Sequence, residues 1–421
     1  MTLPRAVFLY PNDGCLTVAR ALVRRGIKVH ALTDSKYGYV LASRRVKGRV
    51  MPHVRQDPDA WLEELGALAD AGGGLVICGS DAACEWVARN RAALPESLRT
   101  FESTDGVHLA LMDKRRLYRT AAEAGVRVPW MHHVTTRAEL DDLQGELPYP
   151  CILKPTLAHV AKRLVGFGTL LIESRTQLVE RAGQLLDHDV DLLLTELVPG
   201  PETALEGAVA VRDQDGTYTL EYGRHKVRQW PLDYGVGSLL EAAHVPEMLK
   251  MNRRLLDYVG FHGISACEAK RHAGNGELYL IEINVRVPAS FGLAEACGVD
   301  GSWRLYATLA GIPLEPQPPQ IDGRKAAMHP DLRAAWERVR RGDASLPEVL
   351  GSWRGTRDFG VFDVHDPMPT ISLAGQLLRK QATTLLRRQR LPHPQGCASQ
   401  RPERSGLTAP VAADQPTEQG N

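Results

Sequence analysis

Residues 279–290 read YLIEINVRVPAS. Side chains alternate between the two faces of a strand, so Glu282, Asn284 and Arg286 share one face and Tyr279, Ile281, Ile283 and Val285 the other. An anion, a neutral oxygen donor and a permanent cation in that order are a more pointed choice than a generic solvated face. A second carboxylate, Glu268, lies as far before Asn275 as Glu282 lies after it, and Asn275 sits in the turn-like segment HAGNG. A hairpin closing symmetrically there sets the two carboxylates opposite each other. Facing like charges repel unless a cation lies between them. Two carboxylates and an amide oxygen are hard donors that suit Mg²⁺ (or Mn²⁺), an ion usually held by few carboxylates plus phosphate and water. Arg286 is placed to meet an anion that the same metal touches.

A metal–phosphate site needs further cations. Lys154 ends the apolar run ILK before Pro155, and Lys114 opens a helical pattern after Met112-Asp113. The segment GRHKVRQ puts Arg224, Lys226 and Arg228 on one strand face by period two, a crowding of like charge that costs energy unless an anion sits there. Other signals fall short. NDGCLTVARAL lacks the G-x-G-x-x-G of a dinucleotide turn. DFG at 358–360 has no other kinase feature around it, and His132-His133 has no ligand partners at metal spacing.

These residues need elements to hold them. With 421 residues the chain is long enough for two to three domains. Apolar content of 43% and charged content of 24% are those of a soluble globular protein, and a net charge of +1 gives no global case for nucleic acid or a membrane surface. Seven scattered cysteines, none in a CxxC, read as reduced thiols of a cytoplasmic protein. Up to about residue 110, apolar runs at 5–10, 27–33 and 73–79 alternate with helical patterns, the mark of a parallel α/β sheet. A basic helix is expected over Met112–Glu123, then strands at 149–156, 168–174 and 191–197 around the helical TQLVERAGQLL. From residue 198 the pattern turns hairpin-rich, with a DQDG turn between strands and the Glu268/Glu282 hairpin near its end. Residues 316–370 offer one clear helix, PDLRAAWERVRRG; 371–391 is helical and basic; the polar, Pro/Gly-rich 392–421 reads as disordered.

EINVR resembles the E-x-N-x-R signature of the ATP-grasp superfamily of ATP-dependent carboxylate–amine ligases. CEAK resembles the metal-glutamate strand before it, ILKP the phosphate-binding lysine strand, and TELVPG the adenine-hinge segment. MDKRRLYRTAAEAGVRVP resembles the helix leading into the lid subdomain. The order agrees over about residues 5–315, and GRHKVRQWPLDYGVGSLLE resembles the D-aspartate ligase-like branch. The resemblance implies an α/β and α+β multidomain ATP-grasp fold. Its expected parts are an N-terminal Rossmann-like domain at 1–110, a lid subdomain at 111–197, a C-terminal antiparallel-sheet subdomain at 198–315, a helical extension at 316–391 and the tail. It implies ATP as cosubstrate, with Lys114 and Lys154 gripping phosphates, Glu196, Leu197 and Val198 flanking adenine, and Glu202 reaching the ribose. Glu268, Glu282 and Asn284 would hold one or two Mg²⁺, and Arg286 would stabilise the transferring phosphoryl group, with Lys226 and Arg228 near an anionic acid. One departure is the loop PTLAHVAKRLVGFG, whose first glycine is Gly166, where many members carry a glycine-rich phosphate cradle; His159, Lys162 and Arg163 offer side-chain charge instead.

The implied reaction joins a small-molecule acid, activated as an acyl phosphate, to an amine, releasing ADP and phosphate. A non-catalytic ATP-binding regulator or scaffold, and an ATP-grasp carboxylase or phosphotransferase, stay open beside it. The basic 371–391 helix reads as a docked terminal helix or as a weak peripheral contact with a membrane or an acidic partner. The acid, the amine and the oligomeric state are not legible.

Overall fold

The computed structural model describes residues 3–143, 147–155, 169–232 and 234–389. Most of the glycine-poor loop, with His159, Lys162, Arg163 and Gly166, lies outside the described residues, as does the tail expected to be disordered. The chain divides into two compact units, residues 1–374 and 375–421.

In the first unit the opening apolar runs form a five-stranded parallel sheet. Its strands are β1 (Ala6–Leu9), β2 (Val29–Thr33), β3 (Lys47–Val50), β4 (Gly74–Cys78) and β5 (Leu98–Arg99), in the order β3-β2-β1-β4-β5. Helices cover both faces of such a sheet, so β1 and β4 are buried along their whole length. The helix after β1 is Asp13–Arg24. Asn12 caps it by accepting the Cys15 N–H at 3.0 Å. Gly14 is needed there because a Cβ would come within 2.1 Å of the Pro288 carbonyl oxygen. Ser80 caps the helix Asp81–Asn90 after β4 in the same way.

A four-stranded antiparallel sheet follows, with β6 (Met131–Val134), β7 (Cys151–Pro155), β8 (Leu170–Ile172) and β9 (Leu192–Glu196) in the order β6-β9-β7-β8. The basic helix expected over 112–123 is two helices, Val107–Met112 and Lys114–Glu123. Asp113 separates them, its carboxylate accepting the N–H groups of Arg115 and Arg116 at 2.9 and 3.0 Å.

The third sheet has seven strands: β10 (Leu205–Arg212), β11 (Tyr218–Trp230), β12 (Val236–Ala242), β13 (Gly263–Arg271), β14 (Leu278–Asn284), β15 (Lys325–Ala327) and β16 (Thr356–Asp358). Their order is β14-β13-β10-β11-β12-β15-β16, antiparallel except for the last pair. β15 and β16 fall where only helix and irregular chain were expected. Three residues each are too few to show a period, and they form strands because β12 offers an edge to pair with. Both faces of the sheet are packed. Val209, Val211 and Tyr222 share a core with Phe8, Val18 and Phe291, whereas Ala208, Ala210 and Cys267 join Met248, Leu255 and Leu256. Beyond β16, Arg20 of the first helix donates to the Gly360 and Val361 carbonyls and to Asp366, tying the segment to the N-terminal sheet.

The helix Met368–Gln389 begins in the first unit and runs into the second; Arg379 and Lys380 are exposed on it. Among the described residues no helix is long and apolar enough to cross a membrane.

Candidate active site

The β13–β14 hairpin pairs Glu268 with Glu282 and Ala266 with Asn284. The apolar partners Ile283 and Val285 are buried, and Glu282 is exposed. Both glutamates line a cleft of about 520 Å³, together with Lys154 from β7, Lys226 from β11 and the segment after β9.

Glu268 lies low in that cleft. Its carboxylate accepts from Arg224 Nη2 and Lys226 Nζ, each at 3.1 Å. Burial alone would raise its pKa, but the charges of Lys226 and Arg224 outweigh burial and hold it below the ordinary value. Among the described residues, Glu282 accepts only from the Asn284 amide, at 3.3 Å, and the Asn284 oxygen accepts from Arg286 Nη2 at 3.2 Å. The donor set is therefore an ionised glutamate, an exposed glutamate across from it and an amide oxygen beside them. These are hard oxygens in a cation-lined cleft and fit a small divalent ion that also touches phosphate.

Lys154 is the cation whose state responds most to this setting. Burial, and then the neighbouring Lys114 ammonium, bring its pKa down to about 7 against the opposing pull of Glu282. Lys114 also lies 5.8 Å from the Tyr118 ring centroid.

The other wall is formed by Glu196, Leu197, Val198 and Glu202. Glu196 ends β9, where its N–H donates to the Trp130 carbonyl at 3.0 Å and its carboxylate accepts the Trp130 N–H at 3.3 Å. Backbone groups of Leu197 and Val198 follow at the strand end. Glu202 pairs with Arg338 of the helix Asp331–Arg341 at 3.1 Å.

Two expected site residues sit elsewhere. Arg286 lines not the Lys154 cleft but a smaller one of about 260 Å³, with Asn12, Asp13, Ser80, Asp81 and His329. Asn284 links the two clefts, bonded to Glu282 on one side and Arg286 on the other. The second cleft lies outside the carboxyl ends of β1 and β4, the usual ligand crevice of a parallel sheet. Asn12 holds this junction by donating to both the Gly79 and Val287 carbonyls at 2.8 Å. Arg286 itself donates to Asp81 at 2.7 Å.

Arg228 does not share the face of Arg224 and Lys226. The β11–β12 register shifts between Lys226 and Arg228 and again between Arg228 and Gln229, and this irregularity re-aims Arg228. Arg228 grips Asp331 with Nε at 2.8 Å and Nη2 at 2.6 Å, donates to Ser352, and lies 5.7 Å from the Trp353 ring centroid. Sequence reasoning also missed Lys270, Arg338 and Arg341 in the larger cleft and Asp13 and His329 in the smaller. Only Lys270 left a trace, two residues beyond Glu268 on the same strand.

No protein-family model and no curated protein matches the chain. Solved structures do. An N5-carboxyaminoimidazole ribonucleotide synthetase in complex with ADP aligns with TM-score 0.61 at 16% identity, covering 81% of this chain and 86% of its own. The synthetase of the same name from Thermus thermophilus gives 0.58 at 18%, covering 76% and 81%. An L-amino acid ligase from Bacillus licheniformis gives 0.56 at 18%, covering 75% and 76%. At these identities what is shared is the course of the backbone: the chain has the ATP-grasp fold.

Proposed function

We propose that the protein is an ATP-dependent ligase that joins a carboxylate to an amine through an acyl phosphate, using Mg²⁺. The observation that carries the reading is the cross-strand pair Glu268–Glu282 in a cleft that Lys154 and Lys226 also line. Solved structures of this fold with bound MgADP or ADP support the choice of nucleotide. The adenine would lie against the backbone of Glu196–Val198, the ribose near Glu202, and the phosphates at Lys154 and Lys114. Glu268, Glu282 and Asn284 would hold the metal, which supplies charge neutralisation at the phosphates when bound.

A carboxylate is a poor acyl donor because it would have to expel oxide. Attack of its oxygen on the terminal phosphoryl group gives ADP and an acyl phosphate, whose leaving group is phosphate. The amine then forms the C–N bond as the C–O bond to phosphate breaks. Both steps gather negative charge on oxygen, so fixed cations and positioning can carry catalysis without a side-chain nucleophile. Arg286 lines the smaller cleft and, among the described residues, reaches the metal ligands only by donating to Asn284, so its stabilising that charge is part of the proposal. Lys226 and Arg224 already serve Glu268, so they would set the metal-ligand charge more than they touch the acid. The finer likeness to D-aspartate ligase-like proteins rests on the segment 223–241 alone.

A second reading has one specific support. A 2-oxoglutarate carboxylase biotin carboxylase domain with MgADP and bicarbonate shares the fold at TM-score 0.58 and 15% identity, so bicarbonate is a candidate acid. The test is a phosphate-release screen with ATP and Mg²⁺ against pairs of amines and small acids, bicarbonate included, with mass spectrometry of the products. Release that needs both partners and yields an amide supports the ligase. Bicarbonate-stimulated release yielding a carboxylated product moves the assignment to carboxylation. ATP binding with no release across the panel refutes both.

A further inference from the structure

We infer that His329 accepts the proton of the incoming amine, held by Asp13 in the cleft that Arg286 also lines; this rests on the ligase reading above. His329 follows β15, in the stretch where no functional residue was expected. Asp13 opens the first helix and is 4% exposed. Its Oδ1 accepts the Tyr39 hydroxyl at 2.6 Å, and its Oδ2 lies 2.9 Å from His329 Nδ1. With the Asp13 carboxylate oxygen as acceptor, Nδ1 is the nitrogen that carries the proton. In the neutral ring the lone pair is then on Nε2. The imidazole is 38% exposed and has no other protein partner among the described residues, so that lone pair is open to the cleft.

This is a base held in one tautomer by a buried acid, which is itself held by a tyrosine. Burial lowers the His329 pKa, but the hydrogen bond and charge of Asp13 outweigh it, so the net shift is upward. Among the described residues, the charged groups near the pair include Asp358, with Arg20 beside it, and Asp81 and Arg286. Asp358 stands behind Asp13, burial pushing its pKa up to about 6, and Asp81 and Arg286 close the cleft opposite. Asp81 is committed to Arg286, and a carboxylate is a far weaker base toward an ammonium than an imidazole is.

The step balances. The ammonium gives one proton to Nε2 and attacks the acyl carbon. The C–N bond forms, the C–O bond to phosphate breaks, and the second nitrogen proton leaves with the phosphate as hydrogen phosphate. The neutral amide keeps the third, and His329 returns its proton to solvent.

The experiment separates the two half-reactions. Wild type and His329→Gln are compared with the common amino acids as acids, once with an amine panel and once with hydroxylamine, a nucleophile largely uncharged at neutral pH that needs no base. Expected is an amide-forming rate down by about 10²–10⁴-fold in His329→Gln, with loss of the ascending limb of its pH profile, while hydroxamate formation stays close to wild type. Unchanged amide formation overturns the inference. Hydroxamate from neither protein overturns the ligase reading, and the base role falls with it. Nitrogen-15 NMR of the imidazole gives a readout that needs no substrate. It should show the proton on Nδ1, and a pKa that falls in Asp13→Asn. A proton on Nε2, or a pKa indifferent to Asp13→Asn, refutes the assignment.

Discussion

Strand β11 carries two buried ion clusters within a few residues, and they differ in one respect. On one side of the bulge, Arg224 and Lys226 converge on the single carboxylate Glu268, and Lys226 and Glu268 line an open cleft. On the other side, Arg228 meets Asp331 one to one. There Ser238, Ser352 and Trp353 take up the remaining donors and acceptors, and both side chains are almost fully buried. The second cluster is electrically complete and closed to solvent. The first sets two cations against one carboxylate and opens on a cleft. Similar residue types therefore hold the fold together in one place and line a cleft in the other, and the local pairing, with access to a cleft, tells them apart.

The sharpest way to break this comparison is to remove a group from each side. Glu282→Ala takes an exposed side chain from the open site. Turnover should fall by about 10³-fold or more while the melting temperature stays close to wild type, because a charge ligand is lost and no core packing goes with it. An active Glu282→Ala enzyme would remove the basis of the proposed site. Arg228→Ala should do the opposite. It strands the buried Asp331 carboxylate, and chemical denaturation should show a loss of about 3–5 kcal/mol, with the specific activity of whatever remains folded largely kept. If Arg228→Ala folds normally and loses only activity, the closed cluster is functional and the distinction fails.

The same contrast explains what could be read from sequence. The hairpin was legible because its signal is local, and Glu268 does pair with Glu282; but a register shift between Glu268 and Ala269 intervenes, so that Ile281, expected on the buried face, lines the cleft and Leu280 packs with Ile283 and Val285 instead. The parallel sheet was legible from buried runs such as Ala6–Leu9 and Gly74–Cys78. Arg228 was misplaced because a period of two assumes an unbroken ladder, and nothing in GRHKVRQ marks the bulge after Lys226. Arg286 was placed in the Lys154 cleft because strand alternation gives a face and not the distance along it; β14 ends at Asn284, and Arg286 passes toward the N-terminal sheet. The Asp13–His329 pair joins opposite ends of the compact unit, and three-residue strands such as β15 carry no periodic signal at all.

Lys154 offers a finer probe of the open cluster. With its pKa near 7, part of the population is neutral at pH 7 to 8 in the free protein. Bound phosphates favour the ammonium and raise that pKa, so nucleotide binding must take up protons. Affinity should decline, by up to tenfold per pH unit, as pH rises from about 7 toward the raised value in the complex. Titration calorimetry in buffers of different ionisation enthalpy measures the uptake directly. It should vanish in Lys154→Met; uptake that persists there would assign the proton to another group.

The smallest effect is expected where the comparison is least clear-cut, at the Glu202–Arg338 pair. It is an ion pair like Arg228–Asp331, but with Arg338 31% and Glu202 15% exposed at the cleft rim. Solvent screening limits its contribution to about 1 kcal/mol or less, so Arg338→Ala should leave global stability almost untouched. Arg338 stands on the helix Asp331–Arg341, which the closed cluster anchors through Asp331 at its start. The closed site thus holds in place a cation at the rim of the open one. Losing that cation should weaken nucleotide binding about two- to fivefold by equilibrium dialysis, with the larger share falling on ATP over adenosine, because Arg338 adds to the positive field felt by the phosphates. Equal weakening for ATP and adenosine would instead place its action on the ribose through Glu202. Tighter binding would mean that Arg338 competes with the nucleotide for the Glu202 carboxylate.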